Sequence, residues 1–285
     1  MGKSMIIPLL VMLIVTFGWR VTFLITAGLS LVWLVLWMFF GKQNANLQAE
    51  EVTFSQDKRP GKIEWKNLLP ALKNPSFIFP ALALFAAGWS TTFGLVFISN
   101  YLTEVRGLTP QTMGMVIAIG GLGSALLGIT FAALSDRLFK KSGKHKKSRV
   151  LFCGIGMMVA GLSFFSITIV QSPILMIIGY AIKGAFASML VAVAPQIVIT
   201  AKPDQPGSVL GFWFIFSGLA GIVCPIVSGK IIQASGALVG AGFTNAFLVS
   251  CLLSVIAGLL MAIFTNPDAT VSKPVQSVNV ENIKV

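Results

Sequence analysis

Apolar positions along this chain fall in continuous blocks rather than in alternation. Seven blocks, at about 21–40, 76–103, 109–136, 150–170, 173–199, 207–232 and 237–264, are separated by shorter polar stretches. About 20 apolar residues at 1.5 Å each cross the hydrocarbon core of a bilayer, so each block predicts a membrane-spanning helix. A transmembrane barrel would alternate apolar and polar positions, and these runs do not. Ahead of the first block, MIIPLLVMLIVTFGW follows Lys3 and is short for a span. A signal peptide would need a small-residue cleavage site before Arg20; none is present, so residues 5–18 read as part of a helix.

The longest polar stretch, about 41–75, reads as a flexible linker. Within it Trp65, Leu68, Leu69 and Leu72 fall at i, i+3, i+4 and i+7. That spacing suggests a short helix on the membrane surface, bent at Pro70, or one packed on other protein. The tail after 265 is polar and reads as disordered. Small residues recur every fourth position in two spans, Gly120-Ser124-Gly128-Ala132 and Ser217-Gly221-Pro225-Gly229. Such stripes let helix backbones approach closely in lipid.

Composition supports the pattern. The chain has 285 residues, 55% hydrophobic and 11% charged, with a mean hydropathy of +0.87. A soluble domain carries about twice that charged fraction. The formal net charge is +12, concentrated at about 42–73 and 137–149. Basic clusters beside apolar helices are the positive-inside signal of cytoplasmic loops, rather than a nucleic-acid footprint. With the basic loops inside, the C-terminus is cytoplasmic. The three cysteines, Cys153, Cys224 and Cys251, lie in apolar runs without ligand spacing and read as packing residues. His145, in a lysine-rich loop, reads as a solvated residue. No metal cluster, phosphate loop, cofactor motif or nucleophile–base pair stands out, which argues against an enzyme.

One residue is expensive where it stands. Lys183 lies about ten residues, or roughly 15 Å, into the span that begins at Pro173, too deep to snorkel. Such a cation is a structural partner or lines a polar cavity. Tyr180, three residues before it, adds a hydroxyl to the same face. No Asp or Glu lies inside a span to neutralise it. In another span Trp89, Thr92 and Asn100 offer an indole N–H, a hydroxyl and an amide, suited to a polyhydroxylated ligand or to local helix bonding.

The loop AALSDRLFKKSGKHKKSR resembles the signature of the major facilitator superfamily, Gly-x-x-x-Asp-Arg followed by a basic cluster. Asp136 and Arg137 match it, and Ala132 stands where the family has Gly. FGWRVTFLI, YLTEVRG and GSVLGFWFIFSGLAGIVCPIVSGKII resemble further segments of its anion:cation symporter branch, whose members carry hexuronates, aldonates and similar organic anions. Phe97 and Ser99 depart from that branch, which has Trp and Pro there.

The resemblance implies an all-α membrane protein. It would comprise the C-terminal six-helix bundle of the fold (helices 7–12, two inverted three-helix repeats), with helix 6 and part of helix 5. It implies four parts: the end of helix 5 with helix 6 at 1–41, a linker at 42–75, the six-helix domain at 76–264 and a cytoplasmic tail at 265–285. On this reading the chain is a truncated part of a longer carrier, multi-pass in a bacterial inner membrane. It would move a small organic anion by alternating access, with H+ or Na+ as coupling cation and the missing N-terminal half as a partner. Lys183, Tyr180, Trp89, Thr92 and Asn100 would face the substrate; Asp136 and Arg137 would latch one conformation. The alternative is an inert or interaction-only membrane fragment.

Overall fold

The computed structural model describes residues 2–40, 69–203 and 205–268. By contacts the chain divides into two compact units, Met1–Asn67 and Leu68–Val285. In the first, α1 (Gly2–Phe40) runs as one helix with a sharp bend at Gly18, whose φ of 78° only a residue without a side chain adopts freely. Phe17–Phe40 is its membrane-length part.

The second unit is a bundle of six long helices: α2 (Pro75–Val96), α3 (Pro110–Ser142), α4 (Leu151–Ser166), α5 (Pro173–Val193), α6 (Pro206–Ala234) and α7 (Val239–Phe264). With the fourth taken from Lys146 and the fifth to Ala201, these and Phe17–Phe40 of the first unit give seven described helices apolar and long enough to cross a membrane. Local chemistry sets their ends. Four of the six begin with proline, whose missing N–H and fixed φ suit the first helical turn. Asn74 accepts the Ser76 N–H at 2.9 Å and Thr109 accepts that of Thr112 at 3.3 Å, relieving donors the helix leaves free. α3 stops at Gly143, in the left-handed region at φ 65°, whose N–H closes on the Phe139 carbonyl.

Packing runs α3 on α5, α5 on α4, α4 on α7, and α2 on both α6 and α7. Along the first small-residue stripe α3 meets α5: Ser124 donates to the Gly120 and Tyr180 carbonyls at 2.8 and 3.3 Å. The second stripe is used only in part. Ser217 packs on Gly88 of α2, while Gly229 has open space around it. A close backbone approach, α4 on α7, lies outside both stripes: a Cβ on Gly154 would stand 2.7 Å from the Gly258 carbonyl oxygen.

Two expected elements differ. The block at 76–103 is not one helix. α2 ends at Phe97 and the chain continues as a turn (Ile98–Asn100) and a π-helical turn (Tyr101–Val105). The expected surface helix falls mostly outside the described residues. Its described end is a 3-10 turn, Leu69–Lys73, in which Ala71 is buried and Leu72 packs on the bundle core.

Candidate functional site

The site begins with where α5 puts its lysine. Lys183 is 4% exposed. Its Nζ lies 4.7 Å from the ring centroid of Phe164 on α4 and 5.1 Å from that of Tyr180, one turn earlier on α5. On the α2 side a Cβ on Gly94 would stand 3.3 Å from Nζ and 3.4 Å from the Tyr180 hydroxyl. Glycine there is what lets the ammonium lie against the helix backbone. Cys224 of α6 is close enough to interact electrostatically, and its thiol donates to the Trp89 carbonyl at 3.4 Å. Four helices therefore converge on one charge.

What surrounds that charge is apolar. Phe164 packs edge-on to Phe93 (5.9 Å) and tilted to Phe247 (4.8 Å), which form the floor beneath it. Among the described residues no carboxylate pairs with Lys183, and its Nζ has no hydrogen-bond acceptor. A buried ammonium carries three donors, and leaving them unmade costs several kcal/mol. Two aromatic faces offset part of that cost, since a desolvated cation–π contact contributes about 2 kcal/mol. They do not supply an acceptor. The arrangement can accept an oxyanion.

The other expected site residues are divided. Tyr180 joins Lys183. Trp89 is buried in the same cluster as Phe93, Phe164 and Cys224, with its indole N–H unpartnered. Thr92 is half-buried, and its hydroxyl is the nearest atom to Gly221 of α6, 3.9 Å from where a Cβ would be. Asn100 is exposed, three residues past the end of α2 at Phe97. Phe164, Gly94 and Cys224 were not singled out from the sequence. Apolar, small and thiol side chains carry no signal of their own, and only the convergence of helices gives them a role.

At the end of the bundle carrying the basic loop, Asp136 and Arg137 have different surroundings. Asp136 binds Arg149, Oδ1 to Nη2 at 3.3 Å, across the loop at the start of the next helix. Arg149 is buried, its guanidinium 4.0 Å above the Phe139 ring. Arg137 is exposed. His145 is not simply solvated. It is half-buried, its ring 4.5 Å from that of Phe139 and its Nδ1 3.3 Å from Arg149 Nη1. Desolvation first, and the Arg149 charge second, hold its pKa below the ordinary histidine value, while Asp268 opposes them. Asp268, beyond α7, accepts the backbone N–H groups of His145 and Lys146, both at 3.0 Å. At the opposite end Arg106 donates to the Ile167 carbonyl at 3.2 Å and to that of Val170, covering the C-terminal end of α4.

Comparison with known proteins bears on this geometry. A family model described as Major Facilitator Superfamily matches residues 2–145 and 95–282. The Probable sulfoacetate transporter SauU of Cupriavidus necator is 26% identical over 295 residues, covering 96% of this chain and 64% of that protein. The Hexuronate transporter of Bacillus subtilis is 28% identical over 278 residues, covering 94% and 63%. The D-galactonate transporter of Escherichia coli O6:H1 is 24% identical over 281 residues, covering 90% and 62%. The chain thus spans less than two thirds of the length of these curated relatives.

Proposed function

For a chain that belongs to the major facilitator superfamily, we propose a part in secondary transport of a small organic anion, with Lys183 as the group that binds the anionic head. The observation that carries this reading is the buried ammonium at mid-span with neither a carboxylate partner nor an acceptor among the described residues. Such a charge marks a substrate or ion pathway by default. Relatives named for sulfoacetate, hexuronate and galactonate agree on one chemistry, a small molecule with an oxyanion head.

On this reading the hydroxyl of Tyr180 and the indole of Trp89 add directional donors for a polyhydroxylated body. Thr92 and Asn100 belong to the proposed site with them, and the six long helices of 76–264 form one transporter domain. Alternating access exposes Lys183 to each side in turn, with the chain in a bacterial cytoplasmic membrane and its basic loops inside. Asp136 holds one conformation through Arg149 rather than through Arg137. Among the described residues no Asp or Glu reaches the depth of Lys183, so coupling to H+ or Na+ rests on groups elsewhere.

The test is binding and uptake by the whole chain in lipid vesicles, with labelled D-glucuronate, D-galactonate and sulfoacetate offered separately. Saturable binding of at least one anion, lost in Lys183→Ala, is the expected result. Absence of binding by all three in a folded chain favours an interaction-only role instead. Binding that survives Lys183→Ala removes Lys183 from the site.

A further inference from the structure

Resting on that reading, we propose that Phe164 is a positioning residue that parks the Lys183 ammonium in the empty site, and that the substrate anion binds by drawing it off the ring. A hydrogen bond to an ammonium needs an oxygen at about 2.9 Å. Toward α2 a Cβ on Gly94 would stand only 3.3 Å from Nζ, so the helix backbone leaves no room for a ligand atom on that side. Toward α4 the Phe164 centroid at 4.7 Å is direct contact between ring face and cation, and Tyr180 at 5.1 Å closes another side. With the residue 4% exposed, an oxyanion that reaches the ammonium competes with these faces for it.

The ring therefore stabilises the unliganded position, and ligand binding works against it. A stronger ring–cation attraction weakens anion affinity; a weaker one tightens it. Phe164 does this without touching the substrate. Its own setting is rigid: it is fully buried and wedged between Phe93 and Phe247. Phe247 supplies an internal control, because it packs on the same ring at 4.8 Å and makes no contact with a cation among the described residues.

The experiment replaces Phe164 in the full chain with 4-fluoro-, 3,5-difluoro- and 3,4,5-trifluorophenylalanine, which drain the ring face of negative charge with little change of shape. Two readouts are taken in lipid vesicles. The first is modification of Lys183 by methyl acetimidate, resolved from the other lysines by peptide mass spectrometry. The second is the affinity for D-glucuronate. Stepwise faster labelling and stepwise tighter binding, each on the order of tenfold across the series, are expected, with the same series at Phe247 flat. Flat labelling at Phe164, an equal trend at Phe247, or weaker binding along the Phe164 series overturns the proposal. Should Lys183→Ala leave glucuronate binding unchanged, the anion reading fails on its own. The labelling series then still decides whether the ring holds the ammonium.

Discussion

Two charged sites in this bundle are built in opposite ways. At the basic-loop end, charges are matched. Asp136 meets Arg149, Arg149 also lies over Phe139, and Asp268 takes two backbone N–H groups. At mid-span Lys183 meets two rings, a bare glycine and the Cys224 thiol. The first site can hold helices together because its ion pair and its carboxylate–backbone contacts are made within the chain, even with the Arg149 Nε–H buried without a partner. The second leaves its donors unused, which costs stability in the empty protein and keeps them available to a ligand. The contrast teaches that charge in a membrane bundle reads as structural where its partners are present, and as functional where they are not.

The largest effect expected from this contrast is at Lys183. Lys183→Met should abolish saturable anion binding while raising resistance to unfolding by about 1–3 kcal/mol, since it replaces an unpaired buried charge with an apolar side chain of similar length. Denaturant unfolding in detergent, read beside ligand binding, checks both signs. A destabilised variant would mean that Lys183 is a structural partner after all.

At the matched site the sign reverses. Arg149→Ala should cost about 2 kcal/mol, because it removes the Asp136 pair and the contact with Phe139 together and leaves no group behind to replace them. Asp136→Asn should cost less than about 1 kcal/mol, as its carboxylate is 53% exposed. A double-mutant cycle measured by thermal unfolding separates the pair from the ring contact.

Asp268→Ala should cost about 1 kcal/mol, the usual effect of losing a side-chain cap on free backbone donors. Amide exchange at His145 and Lys146 should rise in that variant while the bundle interior keeps its protection. Exchange unchanged at both amides would show the cap to be idle.

The smallest effect expected is on pH. His145 has its pKa lowered in the fold, chiefly by desolvation and then by Arg149. The folded form therefore binds fewer protons, and its contribution is fully present above the ordinary histidine value of about 6.5. It is lost as pH falls from there through the lowered folded pKa. His145→Gln should flatten the stability–pH curve in that window and leave the curve above neutrality unchanged.

Much of the fold was legible before any coordinates. Expected spans such as 109–136, 207–232 and 237–264 match α3, α6 and α7 to within a few residues at most ends, because apolar length and terminal prolines act locally. The break at Phe97 was not legible, since the apolar run continues through it to Tyr101 and Leu102. Which cation meets Asp136 was not legible either, because the partner, Arg149, comes from the start of the next helix.

The candidate site divides the same way. Lys183 stood out because a cation at that depth is costly in any fold, and Tyr180 followed from helical spacing. Trp89 is buried beside Phe93 and Phe164, whereas Asn100 is exposed past the end of α2. Phe164, Gly94 and Cys224 carry no message as letters. Each matters only because α2, α4, α5 and α6 bring them to one point.

The membrane class, the spans, the family and the mid-span lysine that needs an explanation were thus all readable residue by residue. Those properties depend on hydropathy, local capping and the cost of desolvation, each set by a residue and its near neighbours. That this lysine has aromatic faces for company and no acceptor, and that the acidic residue of the signature loop pairs across a turn, came from the packed bundle alone. Both depend on which helix faces which, a choice made by close packing between residues far apart in the chain.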